Sequence, residues 1–159
     1  MSKFRAVTAA VAVSMAGLGL IAGFEGRRNS AYADPAHGWA VPTICYGHTL
    51  DVVPGQYKTN AECAALLKID ADDAAKHVLR LSKQPLTQGE LDAYTSFVFN
   101  VGPTNFNNST LLEKLNAGDH RGACLELLRW VHAGGRVYPG LVKRREAEST
   151  LCQSQLSPK

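Results

Sequence analysis

At 159 residues the chain has the length of one domain, with room for a sizeable core and two lobes. Charged residues make up 19% and apolar residues 45%, a balance that excludes a disordered chain. The net charge of +3, with no interleaving of basic and aromatic residues, argues against a protein built around nucleic acid. The charge is uneven, since residues 120–159 hold seven Lys and Arg against three Glu. That end suits an anionic partner (cell wall, lipid headgroups or nucleic acid) or carries a plain solvated basic face.

The chain opens on a short basic run with Lys3 and Arg5, and Ala6 to Phe24 then carry no charge. Nineteen uncharged residues can just span a bilayer as a helix. Most are Ala, Gly, Ser and Thr, whose transfer energy is small, so insertion would be marginal. Three readings compete: a cleaved signal peptide, a plain first helix with Leu18, Ile21 and Glu25 on one face, or an anchor that later leaves the membrane. Ala31-Tyr32-Ala33 has the form of a cleavage site, but cutting there would remove Glu25.

Glu25 follows directly on this run. Asp34 lies nine residues on, Thr43 nine beyond that, and Tyr46-Gly47-His48-Thr49 closes the segment. Pro35, Pro42 and glycines punctuate the stretch, so the two acids fall on different elements and can face each other across a cleft. Two carboxylates in unlike surroundings are what hydrolysis of a glycosidic bond needs. One holds a proton for the leaving oxygen, and the other stays ionised to steer water or the developing cation. Tyr32, Trp39, Val41, Ile44 and Tyr46 predict short strands, with turns at Pro35 and Gly38.

Further on, Thr59-Asn60-Ala61-Glu62 predicts a capping box opening a helix to about Leu81. Cys63, Leu66, Leu67, Ile69, Ala74, Val78 and Leu81 suit its packed face. Asp70, Asp72 and Asp73 read as a solvated face, since a helical segment without the loop glycine does not make a calcium loop. Thr87-Gln88-Gly89-Glu90 is a second capping box, and Leu91, Tyr94, Phe97, Val98 and Val101 predict a core helix after it. Asn107 to Leu112 reads as a cap and a short helix, and Asn116 to Asp119 as a stop and restart. Cys124, Leu127, Leu128 and Val131 form the next stripe, Gly134-Gly135 a break, and Gln153 to Lys159 a frayed tail. No cysteine pair has zinc spacing, so neither metal nor cofactor is expected. Cys45, Cys63, Cys124 and Cys152 allow three disulfide connectivities, or four buried free thiols. Outside the cytoplasm the expected pairing is by lobe, Cys45 with Cys63 and Cys124 with Cys152.

Phe24-Glu25-Gly26, Ala31-Tyr32-Ala33-Asp34 and Thr43-Ile44-Cys45-Tyr46-Gly47-His48-Thr49 together resemble the catalytic segment of the phage-type lysozymes, the endolysins that open the host cell wall. Phe99-Asn100-Val101-Gly102 and the Gly140-Leu141 to Arg144-Arg145 pattern extend the resemblance over nearly the whole chain. It implies an α+β, mostly helical, two-lobe lysozyme-like fold with a small three-stranded sheet. A catalytic domain over 25–154 would follow an N-terminal segment, 1–24. Its β part would lie at about 30–50, a connecting helix at about 60–81 and a helical lobe at about 86–154.

The implied activity is hydrolysis, with inversion, of the β-1,4 bond between N-acetylmuramic acid and N-acetylglucosamine. Glu25 would be the general acid, with Asp34 and Thr43 positioning water. His48 would support by contacting the acid, and Arg145 by pairing with it. A positive neighbour lowers a carboxyl's pKa, whereas burial raises it. Thr49, Phe99 and Thr110 would bind substrate. By the same resemblance, residues 6–24 hold a signal-anchor-release enzyme inactive at the host inner membrane, facing the periplasm, until a holin-type partner collapses the membrane potential. The released enzyme then works in the periplasm as a monomer on peptidoglycan. Some relatives switch through a cysteine in this segment; none lies in residues 1–44 here, which excludes a thiol switch starting there. The rivals are a wall-binding module with no use for Glu25, a lytic transglycosylase with no need of Asp34 and Thr43 to hold water, and a nucleic-acid binder using Lys143-Arg144-Arg145.

Overall fold

The computed structural model describes residues 12–158. Lys3, Arg5 and the first part of the uncharged run therefore lie outside the described residues. From Met15 on, that run forms helix α1 (Met15–Glu25), which ends on Glu25. Ser14 caps its start, its hydroxyl accepting from the Gly17 amide, which satisfies one of the first turn's free donors. Gly26 ends the helix at φ +70°, a left-handed conformation that costs glycine little. Among the described residues no helix is long and apolar enough to cross a membrane.

A hairpin follows, of β1 (Arg28–Asp34) and β2 (Gly38–Cys45), paired antiparallel. Ala33 pairs with Pro42 and Asp34 with Gly38, so Trp39, Ala40 and Val41 bulge out of β2 without a register partner. The expected third strand shrinks to a bridge between Ser30 and Tyr57. Pro54 and Gly55, the latter at φ +83°, turn residues 51–58 too tightly for a longer ladder.

Helix α2 (Asn60–Leu81) opens on a formed capping box: Thr59 N–H donates to Glu62 Oε2 at 2.7 Å, and Glu62 N–H to Thr59 Oγ1 at 3.2 Å. Its packed face is Cys63, Leu67, Ala71, Ala74, Ala75 and Val78. Ile69, expected on that face, is 62% exposed, because two residues past Leu67 lies about 200° round the helix. The buried side chains form two clusters. A small one joins Ile44, Cys45 and Val52 to Cys63 at the start of α2; the large one takes in Leu67 and everything packed after it. One helix thus belongs to both cores, which is what makes it the connection between lobes.

Helix α3 (Gln88–Val101) is central, with residues 89–98 all buried and α1, α2 and a later helix, α7, packed around it. Its second capping box is also formed. A Cβ on Gly89 would meet the Leu151 carbonyl oxygen at 2.4 Å, so only glycine allows α7 this close. Around α3 stand α4 (Pro103–Asn107), α5 (Thr110–Asn116), α6 (His120–Glu126), a 3-10 turn at Leu127–Arg129, a minimal hairpin of β3 (His132–Ala133) and β4 (Arg136–Val137), and α7 (Pro139–Gln153). Phe97 packs edge-on against Trp130, ring centres 5.1 Å apart. Leu128, expected in the stripe with Leu127, is 41% exposed because the 3-10 turn rotates it outward. The tail expected to fray is docked. Gly89 N–H donates to Gln155 Oε1, Arg121 donates to the Ser157 carbonyl, and Leu156 packs on the large core.

Both disulfides form by lobe. Cys45–Cys63 ties β2 to α2, and Cys124–Cys152 ties α6 to α7. They close loops with sequence separations of 18 and 28, so each should contribute about 3 kcal/mol by restricting the unfolded chain. Urea unfolding with and without reductant should show that loss; an unchanged midpoint would mean the unfolded chain is already as restricted without the bridges.

Candidate active site

Glu25 is the last residue of α1, so its side chain leaves the helix where the chain turns into the hairpin. Its Oε1 accepts from Arg144 Nη1 at 2.7 Å. Its Oε2 faces Gly47, where an added Cβ would sit 3.8 Å from it. Gly47 has φ +83° and belongs to a tight turn closed by two Ile44–His48 backbone hydrogen bonds of 2.9 Å. The two oxygens are thereby distinguished, one held by the helical lobe and the other turned to the small lobe.

Arg144 is 4% exposed and serves several partners at once. Its Nε donates to Glu148 at 3.1 Å, and its Nη2 to the Ser96 carbonyl and hydroxyl at 3.1 and 3.3 Å. Glu148, fully buried, also accepts from Ser96 Oγ at 2.7 Å and from Arg145 Nη1 at 2.8 and 3.0 Å. The arginine beside Glu25 is therefore Arg144 and not Arg145. Consecutive helical residues point about 100° apart, and α7 turns Arg145 instead to Glu148, the Trp130 carbonyl, Asn100 and the Phe97 ring. Burial lowers the Arg145 guanidinium from its usual pKa, and Glu148 opposes that shift.

Asp34 ends β1. Its Oδ1 accepts from the His37 and Ala36 amides at 2.8 and 2.9 Å and lies 3.0 Å from His37 Nδ1. Those two amide hydrogen bonds hold its carboxyl below the usual carboxylate range, so it stays ionised into mild acid. Thr43 is buried in β2, opposite Tyr32, with its hydroxyl donating to the Val41 carbonyl at 3.1 Å. The Tyr32 phenol is raised from its ordinary pKa chiefly by burial; Arg28, stacked on its ring, opposes this, while both Glu25 and Asp34 add to it. Tyr32 therefore lies within electrostatic reach of both acids.

His48, expected to contact the acid, directs both ring nitrogens elsewhere: Nδ1 to Asp70 at 2.8 Å and Nε2 to the Leu50 carbonyl at 3.0 Å. It fastens the Gly47 turn to α2, so its bearing on Glu25 runs through the backbone. Asp70, read as solvated, is the other half of this link. Phe99 lines a groove of about 380 Å³ with Gly47, Asp70, Asp73, His77 and Pro103. A second groove, about 410 Å³, is lined by Phe24, Glu25, Asn100, Tyr138, Leu141 and Arg144. Glu25 and the neighbouring Gly47 turn thus border open space on two sides. Thr49 is exposed just after the turn. Thr110 is exposed at the start of α5, whose cap is Ser109, its hydroxyl accepting from Leu112 N–H at 3.1 Å. Arg144, Glu148, Tyr32 and Asp70 are the participants that the sequence reading missed. Tyr32 carried a signal within the Ala31-Tyr32-Ala33-Asp34 motif, as did Arg144 within the Gly140-Leu141 to Arg144-Arg145 pattern and Glu148 three residues beyond it, whereas Asp70 carried none.

A helix-terminal acid oriented by a buried arginine, beside a grooved junction with a small β lobe that carries an ionised aspartate, is the layout of a lysozyme-type glycoside hydrolase. The chain belongs to the phage lysozyme family, whose model matches residues 22–148. It is 45% identical over 131 residues to the SAR-endolysin of Bacteriophage PS119, covering 82% of this chain and 77% of that one. Among solved structures it resembles the muramidase domain of SpmX from Asticaccaulis excentricus, with a TM-score of 0.81, 34% identity and coverage of 92% and 98%. It also resembles the active form of the P1 phage endolysin Lyz, with a TM-score of 0.82, 27% identity and coverage of 92% and 88%.

Proposed function

We propose that this protein is an endolysin, a muramidase that hydrolyses the β-1,4 bond between N-acetylmuramic acid and N-acetylglucosamine, with Glu25 as general acid and Asp34 as general base. The observation that carries the assignment of roles is the division of Glu25's oxygens. Arg144 fixes Oε1, so Oε2 is the oxygen that delivers its proton to the leaving sugar oxygen. Asp34, kept ionised by its two amide donors, takes a proton from the attacking water on the opposite face of the sugar. Thr43 helps hold that water. Attack from the opposite face inverts the anomeric carbon. Thr49, Phe99 and Thr110 are proposed as glycan contacts, with the Phe99 groove as the cleft wall.

The substrate, peptidoglycan, lies in the periplasm of a Gram-negative host, and two disulfides suit an oxidising compartment. In this reading residues 6–24 hold the enzyme at the inner membrane, as a monomer, until a holin-type partner dissipates the potential. Support comes from the uncharged run that ends in α1 and from the relatives named SAR-endolysins.

The test is product analysis on isolated peptidoglycan. Fragments ending in reducing N-acetylmuramic acid, first released as the α anomer, are expected. Anhydro ends would make the enzyme a lytic transglycosylase, and intact glycan strands would leave a binding module; either overturns the reading.

A further inference from the structure

Helix α1 carries Glu25 at one end and is held by polar contacts at both. Arg144 grips the C-terminal end, as described. About 15 Å away, by the rise of eleven helical residues, the N-terminal end meets Asp92 of α3. Asp92 is 1% exposed. Its Oδ1 accepts from the Ser14 amide and from Gln88 Nε2, each at 2.9 Å, and its Oδ2 accepts from the Ser14 hydroxyl. Gln88 Nε2 also donates to the Ala12 carbonyl at 3.2 Å. The contact is tight as well as polar. A Cβ added at Gly17 would lie 2.8 Å from Asp92 Cγ and 2.6 Å from Val13 Cγ1.

Between these ends α1 offers little to fix its rotation or its slide. It has no charged residue before Glu25, is only weakly sided, and places glycines at 17, 19 and 23. Apolar burial is not directional, so Ile21 and Leu18 hold α1 against the core without choosing one register sharply. A buried carboxylate that must be fully hydrogen-bonded does choose one. Its negative charge also favours the positive end of the α1 dipole.

We infer that Asp92 is a positioning residue: by fixing the N-terminus of α1 it sets the register that brings Glu25 to Arg144. This rests on Glu25 being the acid. Asp92→Asn keeps an acceptor for the Ser14 amide and a donor for the Ser14 hydroxyl, whereas Asp92→Ala removes both. The experiment measures kcat and KM on soluble glycan fragments for Asp92→Ala, Asp92→Asn and Ser14→Ala, each well below its melting temperature and corrected for the folded fraction.

The expected result is a kcat about 10-fold lower for Asp92→Ala with KM within about twofold, because misplacing a catalytic group costs turnover more than binding. Asp92→Asn should restore most of it, and Ser14→Ala should show a smaller loss of the same kind. Should Asp92→Ala not fold, the kcat of Ser14→Ala decides alone. Wild-type kcat in the folded fraction of these variants, in an enzyme that Glu25→Gln inactivates, overturns the inference and leaves the acid assignment standing. An active Glu25→Gln overturns the acid assignment first.

Discussion

Glu25→Gln should slow peptidoglycan hydrolysis by about 10²–10⁴-fold and leave the fold intact. Gln has the shape of Glu without a proton to donate, so the loss isolates general-acid chemistry from shape. The fold survives because the buried Arg144 keeps a charge partner. Its Nε still donates to Glu148 at 3.1 Å, and Ser96 still accepts from Nη2. Clearing of outer-membrane-permeabilised Gram-negative cells gives the activity, and near-UV circular dichroism reports the packing. Equal clearing by mutant and wild type would move the acid to another residue. Asp34→Asn makes an informative companion, because its amide donors preserve the hairpin turn while the base is lost.

The second large effect is expected at a residue that touches no substrate. Glu148→Ala should cost about 3–5 kcal/mol of stability, as removal of one partner from a buried charged group does. Glu148 is the common acceptor for Arg144, Arg145 and Ser96, and all three lie in the interior. Without it two adjacent guanidinium groups face each other unscreened, and Arg145 is already destabilised in its charged form by burial. Arg144 would also lose a contact that aims it at Glu25, so turnover should fall by up to about 10²-fold in whatever remains folded. Urea titration gives the first quantity and initial rates give the second. A loss under about 1 kcal/mol would show that water reaches this network and screens it.

What the sequence disclosed about the fold is local. Both capping boxes are four-residue signals and needed no tertiary information, and the starts of α2 and α3 follow from them. Helix α4 has five residues, too few to display a period, and was invisible for that reason. The errors at Ile69 and Leu128 came from reading apolar identity where helical phase decides.

In the candidate site, the segment from Glu25 to Thr49 was legible because motif and spacing lie within one continuous stretch. The contacts around it were not. Whether Arg144 or Arg145 meets Glu25 depends on the rotation of α7, which is fixed by close packing at Gly89 and by Asn100, both distant in sequence. Asp70 reads from sequence as part of a solvated helix face, and nothing in the sequence singles out Asp92. Each instead fastens another segment, at His48 and at Ser14, and a charge that works by tertiary contact leaves no mark in a periodicity.

Both cross-links close downstream of Glu25, the earlier beginning at Cys45. No covalent staple therefore includes α1. Cys45–Cys63 secures the hairpin to α2 and Cys124–Cys152 secures α6 to α7, whereas α1, which bears Glu25, is retained by noncovalent contacts alone. Removing α1 would require no bond exchange, and returning it would meet a receptacle two of whose walls, α2 and α7, are already stapled to their neighbours. In the proposed reading, where residues 6–24 hold the enzyme inactive at the membrane, its on and off forms would differ by the docking of one helix, at a rate that no oxidoreductase has to set.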